Sequence, residues 1–546
     1  MTVGELRASK SPASHQVDSR GLAILGLLII LVVGSSLRIF RLSSESLWLD
    51  ETTSVLISQV EWAKSWESMA SDPNPPLHYL ALRWWIGVFG DSESSVRMLS
   101  VVFGIVSIAF MYLTARQLLG EAVGLLASLI LALSQLHITY SQEARAYAMM
   151  SMLALVSTYC LLRFLRHDGS RNLLGVFFSN VCMLYTHVFA SFVLASQALF
   201  VAYLWLRQSN ASACGGRASS EAAGVSESKP GPPFGGVERR GLLRWVVCQF
   251  FVALAFAPWV ANMLANLARI RGLSPEGVPG MGISWLGRPS VAGLARTLEH
   301  YSGAGEVGLL LFFCLFVLGV FCVGKHSGRF SWRAPAVSLS TYSWTLTLGS
   351  LDAVVLLLSW LAFPTLVPFI LSIVLFPIYD PRYTIAASLS YYILVARGIR
   401  NVAAGTNRLV GMLLVCMLCA SSAWGLRPYY AQTQKEQWRE TERYISANMA
   451  AGEIIVFNAP YVRGAFWYYH RHHGNTTYLT GAHTVQELHE VLNQNPTATG
   501  IWLVLSHDRF TDPQGSVKKE LDATYLLREE KHFVGIAIRH YTARND

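Results

Sequence analysis

GLAILGLLIILVVGSSLRIF, residues 21–40, runs straight into RLSSESLWLDE, residues 41–51. The first stretch is apolar over the roughly 20 residues that a helix needs to cross a bilayer. The second closes on two adjacent carboxylates, Asp50 and Glu51, just past the apolar run. Carboxylates beside lipid are costly, and a chain that keeps them there usually gains a function. The plainer reading makes Asp50 the N-cap of a helix that faces solvated headgroups. Both readings place a membrane span immediately before the pair.

The rest of the chain extends that reading. Of 546 residues, 52% are hydrophobic and 14% charged, and the mean hydropathy is +0.37. An average soluble protein is about 25% charged. Apolar runs fall at 21–40, 97–118, 122–140, 146–164, 172–186, 188–206, 242–262, 307–323, 351–376, 384–397 and 408–425. A large soluble core is thereby excluded. The expected fold is a polytopic α-helical membrane protein of about 11–13 spans. The higher count comes from 334–376, broken by Pro335, Pro364 and Pro368, which has room for two more short spans or a re-entrant piece. No cleavable signal peptide is evident, because residues 1–20 are polar and the run after them is long enough to stay as an anchor.

Lys and Arg set the expected sidedness. With the N-terminus inside, the cytoplasmic segments hold 19 of them and the opposite loops hold 10 over a somewhat greater length. The net charge of +9 therefore reads as a membrane-protein bias, with no nucleic-acid partner implied. The expected layout is a cytoplasmic tail (1–20) and a transmembrane domain (21–425) with an external loop at 41–96. A Ser-, Gly-, Ala- and Pro-rich stretch, 209–238, reads as a disordered cytoplasmic linker.

Residues 426–546 read as an extracytoplasmic α/β domain. Its buried strands are expected at 454–457, 501–505 and 533–538, and its amphipathic helices at 433–450, 484–493 and 516–523. None of the eight cysteines lies there, so no disulfide framework is expected. Cys416 and Cys419 form a C-x-x-C inside an apolar helix, which reads as helix packing. This layout fits a bacterial inner membrane.

Several polar clusters fall on the same outer face under this topology. They are Asp50-Glu51, the loop Asp72 to Tyr79 with His78, Ser141-Gln142-Glu143-Ala144-Arg145-Ala146-Tyr147, His187, and Tyr379-Asp380-Pro381-Arg382-Tyr383. Carboxylates, arginines and histidines together are the parts needed to hold a phosphate and to deprotonate a nucleophile. Each has a bland reading beside it. Arg145 and Arg382 serve equally as interfacial snorkelling residues. His78 and His187 serve as packing or hydrogen-bonding groups. The tract His470-Arg471-His472-His473 reads as a solvated loop before it reads as a metal site.

These motifs resemble the polytopic GT-C glycosyltransferases that use polyprenyl-phosphate sugars. The likeness is to the bacterial branch related to protein mannosyltransferases and aminoarabinose transferases. It rests on Asp50-Glu51, Pro75-Pro76-Leu77-His78-Tyr79, Arg97, Ser141 to Ala148, Thr186-His187, Arg382-Tyr383 and Trp438-Arg439-Glu440, and covers about residues 20–460. The resemblance implies that Asp50 orients or deprotonates the acceptor, with Glu51 as its catalytic companion. It implies that Arg145, Arg382 and Tyr383 hold the donor phosphate. His78, Tyr79, Glu143 and His187 are candidate substrate or metal contacts, and a divalent metal ion is a candidate cofactor with no assigned ligand set.

The implied activity moves a sugar from a polyprenyl-phosphate donor to a protein, lipid or glycan acceptor, with inversion at the anomeric carbon. The chain carries no P-loop or dinucleotide fingerprint. A multi-span lipid or glycan transporter is the main alternative, and a non-catalytic scaffold or sensor is another. Transporters place charges near mid-membrane and show repeats. Here the carboxylates sit at one face and no repeat is visible.

Overall fold

The computed structural model describes residues 13–72, 74–215, 239–273, 286–303, 305–325, 337–339, 342–348, 351–471 and 478–544. Most of the expected linker at 209–238 lies outside them, as do residues 1–12, His472 and His473.

Each of the eleven apolar runs carries a helix. The first is α1 (Ala13–Ile39), followed by three short helices of the first loop, α2 (Leu49–Gln59), α3 (Trp62–Ser71) and α4 (Leu77–Phe89). Then come α5 (Glu93–Leu119), α6 (Glu121–Leu133), α7 (Gln135–Ser141), α8 (Tyr147–His167), α9 (Ser170–Leu184) and α10 (Ala190–Gly215). The bundle ends with α11 (Arg239–Leu273), α12 (Val291–Ser302), α13 (Gly305–Val320), α14 (Leu351–Val374), α15 (Ile385–Gly405) and α16 (Arg408–Ala431).

Among the described residues, seven helices are long and apolar enough to span a bilayer. Counting the bent pairs α6–α7 and α12–α13 as one span each brings that to nine. Of the remaining runs, α9 has only 15 residues, while α15 is buried from Ile385 to Ile399 and forms the centre of the bundle. Gly319 of α13 and Gly398 of α15 meet back to back. A Cβ on either would stand 1.9 Å from a carbonyl oxygen of the other helix, so both positions require glycine.

The stretch with room for extra spans is built otherwise. Among the described residues, β1 (Phe321–Lys325), β2 (Val337–Leu339) and β3 (Tyr342–Leu348) form an antiparallel sheet in the order β1-β3-β2. α14 continues as a single helix through Pro364 and Pro368.

The C-terminal domain is a five-stranded mixed sheet in the order β5-β4-β6-β8-β7. Its strands are β4 (Ile454–Phe457), β5 (Leu479–Gly481), β6 (Gly500–Leu505), β7 (Leu526–Phe533) and β8 (Ile536–Thr542). Its helices are α17 (Trp438–Asn448), α18 (Arg463–His470), α19 (Val485–Gln494), α20 (Asp508–Thr511) and α21 (Ser516–Thr524). β4 pairs parallel with β5 and β6, and β8 pairs antiparallel with β6 and β7.

The pleat explains the continuous apolar runs. Ile455, Phe457, Trp502 and Val504 pack in one cluster with Trp438 of α17, while Ile454, Val456, Ile501 and Leu503 pack in another with Leu488 and Leu521. The apolar run 533–538 does not form one strand. Phe533 ends β7 and Ile536 begins β8, with Gly535 at φ +75° in the turn between them.

Candidate active site

The carboxylates open α2, whose first turn carries both Asp50 and Glu51. The N-cap position belongs to Trp48, so Asp50 lies inside the helix, where a negative charge complements the helix dipole. Successive residues on a helix point about 100° apart, and the two side chains have different surroundings. Asp50 is 32% exposed, whereas Glu51 is wholly buried.

Every acceptor position of Glu51 is filled. One oxygen accepts from Arg97 Nε at 2.8 Å and from the Ala144 amide at 2.9 Å. The other accepts from Arg97 Nη2 at 2.7 Å and from Lys435 Nζ at 3.1 Å. Arg97 spends its three remaining donors on the carbonyls of Leu42, Glu45 and Ser46, at 2.8–2.9 Å. All five of its N–H groups are thus used, the most a guanidinium offers. Burial alone would raise the Glu51 carboxyl, but Arg97 and Lys435 hold it down at about 2. Glu51, expected to share the chemistry with Asp50, thus has each of its acceptor positions engaged within the protein. It is the brace that fixes the first turn of α2 against α5, the 142–145 loop and the segment leading to the C-terminal domain.

The 142–145 loop is held by an exchange of helix caps. α6 and α7 meet at a 60° bend, which strands the last carbonyls of α6. Arg38 of α1 donates to two of them, Leu131 and Ala132, at 3.1 Å, and to Ser141 Oγ at 3.2 Å. In return the Gln142 amide donates to the carbonyls of Arg38 and Phe40 at the end of α1, at 2.9 and 2.8 Å. Gly104 leaves room for this. A Cβ there would fall 2.2 Å from Ser141 Oγ and 3.0 Å from Arg38 Nε.

The loop delivers Arg145 to Asp50. Arg145 Nη2 is 3.6 Å from the carboxylate, and Arg382 Nη1 is 3.7 Å from the same oxygen. Arg145 also donates to the Asp50 carbonyl at 3.3 Å and to Ser54 Oγ at 3.2 Å. The carboxylate contacts are longer than the 2.7–2.9 Å of a charge-assisted hydrogen bond. The Asp50 carboxylate is thus flanked by two cations at ion-pair distance. Asp380 lies 3.5 Å from Arg382 Nε on its other side.

Aromatic rings wall the arginines. Tyr383 stacks on Tyr147 at 6.3 Å, lies 5.4 Å from the His187 ring, and has the Arg382 guanidinium over its face at 5.3 Å. Behind Arg145 is a pocket of about 10 Å³ lined in part by Asn74, His78, Tyr79, Tyr147 and His187, room for about one water. Among the described residues His78 Nε2 has no hydrogen-bond partner there. Burial and the Arg145 charge push both histidines down to about 3, so both are neutral hydrogen-bonding groups at pH 7. Tyr79 donates to Asp72 at 3.0 Å.

Glu143 lies on the other side of the loop, toward Lys435 and Glu51. One of its oxygens is buried with no hydrogen-bond partner among the described residues. Burial pushes its carboxyl up to about 7, with Lys435 opposing and Glu51 and Asp50 adding to the rise. Between about 4.5 and 7 the folded chain therefore holds a proton that the unfolded chain releases, and stability falls as pH rises through that window. Glu143→Gln removes this cost. Its stability relative to wild type is expected to improve by about 3 kcal/mol between pH 4.5 and 7, then level off. Thermal unfolding of both proteins across that range checks it, and a constant difference would show that Glu143 ionises like an exposed glutamate.

The structure gathers Asp50, Arg145, Arg382, Tyr383, His187, His78 and Tyr79 around one centre, and sets Glu143 beside the Glu51 brace. Among the described residues, no group of three or more His, Cys, Asp or Glu side chains is placed to hold a metal ion. The sequence reading did not find Lys435 or the donor work of Arg97. Lys435 is a single lysine in a polar connecting segment and carries no signal of its partner. Arg97 was visible as a charge opening an apolar run and as one mark of the resemblance, without its partner.

Residues 73–215 match the dolichyl-phosphate-mannose-protein mannosyltransferase family. No curated protein matches the chain in sequence. Among solved structures, ArnT from Cupriavidus metallidurans in the apo state is similar with a TM-score of 0.52 at 12% identity, over 96% of this chain and 98% of ArnT. The same protein bound to undecaprenyl phosphate is similar with a TM-score of 0.52 at 12% identity, over 95% and 98%. The archaeal oligosaccharyltransferase AglB from Archaeoglobus fulgidus, in complex with an inhibitory peptide and a dolichol-phosphate, gives 0.50 at 10% identity, over 95% of this chain and 74% of AglB. At such identities the likeness is one of fold. This chain is an integral membrane protein of the GT-C fold with a small C-terminal sheet domain.

Proposed function

We propose that the chain is a membrane glycosyltransferase that moves a sugar from a polyprenyl phosphate to an acceptor hydroxyl or amine. The observation that carries this reading is the Asp50 carboxylate standing between Arg145 and Arg382 at one end of the helix bundle. A sugar joined to a phosphate already has a good leaving group. Its transfer needs a base for the nucleophile and fixed positive charge for the departing anion. Both are within 4 Å of each other here.

In the proposed reaction Asp50 takes the proton from the acceptor as its oxygen or nitrogen bonds to the anomeric carbon. The carbon–oxygen bond to phosphate breaks, and its electron pair stays on the phosphate, held by Arg145 and Arg382. Tyr383, Tyr147 and His187 support the two arginines and close the site against water. One displacement gives inversion, and an NMR assignment of the product linkage with retained configuration would overturn that point. The Lys and Arg bias supports a cytoplasmic N-terminus, with α2–α4 and the C-terminal domain outside.

Purified protein in detergent, given a short-chain polyprenyl-phosphate hexose, tests the reading. The wild type is expected to bind it and release polyprenyl phosphate. Arg382→Ala is expected to weaken donor binding by about 10- to 100-fold, the loss of a hydrogen bond to a charged group. Failure of the wild type to bind any polyprenyl-phosphate sugar would sink the proposal.

A further inference from the structure

We propose that a groove on the C-terminal domain, between α18 and one end of β5, binds an acidic saccharide of the acceptor. This rests on the transferase reading and names the class of acceptor. The groove has a volume of about 510 Å³, within the usual range of ligand sites. It is lined by Pro460, Tyr461, Arg463, Gly464, Trp467 and Leu479.

The helix explains why these side chains share a face. Arg463 and Trp467 are four residues apart, one above the other on the surface of α18. The intervening Ala465 and Phe466 point into the domain core, Tyr468 beyond packs against Leu47 and Val55 of the first loop, and all three are buried. Trp467 and Tyr461 are instead 37% and 41% exposed. Rigid aromatic faces give large contact area at little entropic cost, and the flat C–H face of a pyranose ring is suited to them. Among the described residues Arg463 has no hydrogen-bond or ion-pair partner, so its planar fork is available for a carboxylate or phosphate.

One residue of the groove, Gly464, approaches the helix that carries Asp50. A Cβ on Gly464 would come within 3.1 Å of Leu56 on α2, six residues or about 9 Å along the helix from Asp50. Tyr461 stands edge-on to His507 at 6.0 Å, and His507 bonds Glu436 Oε1 at 2.5 Å. The other Glu436 oxygen accepts from the Leu49 amide, next to Asp50. A short saccharide held in the groove would reach toward the proposed base.

A peptide occupant fits less well. The neighbouring edge strand β5 is three residues long, a short template for strand addition.

The test applies the full chain in detergent to an array of defined neutral and acidic glycans, with acidic peptides alongside. Acidic glycans are expected to bind selectively. Trp467→Ala is expected to weaken that binding at least tenfold. Arg463→Ala is expected to erase the preference for acidic over neutral glycans, and Arg463→Lys to keep part of it. Both side chains are on the surface, so melting temperatures are expected to stay at the wild-type value, which excludes misfolding as the cause. Glycan binding that ignores both substitutions, absence of glycan binding by the wild type, or peptide binding lost in Trp467→Ala would each overturn the proposal. Donor binding by the wild type is measured beside it. Trp467-dependent glycan binding without donor binding refutes the transferase reading alone. Donor binding with a groove indifferent to glycans refutes the groove alone.

Discussion

Glu51→Gln is expected to destabilise the chain by about 3–5 kcal/mol, the usual cost of breaking a buried ion pair by removing one partner. Glutamine fills the same space but removes the negative charge. Arg97, with 2% of its side chain exposed, and Lys435, with 10%, would then share a buried site with no carboxylate between them. Burial already lowers the Lys435 ammonium pKa, so the lysine would shed its proton before it stayed charged there. The pH dependence of the wild type speaks to the same site. Its carboxyl is held near 2 against 4.5 in the unfolded chain, so its contribution is complete above pH 4.5 and is lost as pH falls toward 2. That shift corresponds to about 3 kcal/mol, in line with the mutational range. Thermal unfolding in detergent measures the loss. The double variant Glu51→Gln with Lys435→Met is expected to recover part of it, because the two residues touch and their effects do not add. A loss under about 1 kcal/mol would show that the first turn of α2 is held by other contacts.

Asp50→Asn is expected to lower turnover by roughly 10²–10⁴-fold, the range for a general base. Its effect on the donor should have the opposite sign. In the free protein the carboxylate occupies the space between Arg145 and Arg382, at 3.6 and 3.7 Å, and competes with a phosphate for the same two cations. The neutral amide ends that competition, so donor binding should hold or tighten while the chemical step stalls. Single-turnover rates and donor dissociation constants, measured side by side, separate the two effects. A variant that turns over within tenfold of wild type would remove Asp50 from the role of base. One that loses donor binding would make Asp50 part of the donor site.

Much of this architecture was legible because bilayer physics leaves few choices. A 20-residue apolar run must be a helix, and all eleven runs are helical. The strands at 454–457 and 501–505 were legible because both faces are buried, so every residue is apolar. The β7–β8 hairpin was missed for the same reason. Val534 and Gly535 did not interrupt the apolar signal, and the turn depends on a positive φ that only the backbone reveals. Asp50, Arg145 and Arg382 stood out as charges flanking apolar runs, but the sequence could not tell Asp50 from Glu51. One turns toward the two arginines and the other into the protein, and that division is made by Arg97 and Lys435, 46 and 384 residues away.

Lys435 and Glu436 belong to the short connector between the last span and the C-terminal domain, yet their side chains finish the first turn of α2. The domain therefore is not a detachable module. A chimera that takes its C-terminal domain from a relative loses the counter-ion of Glu51 unless the junction lies after Lys435. Sequence drift in the connector and in the first loop is likewise tied together, since neither can change its charge alone. An exchange of the outer domain would have to leave Lys435 with the membrane domain, where both of its partners lie.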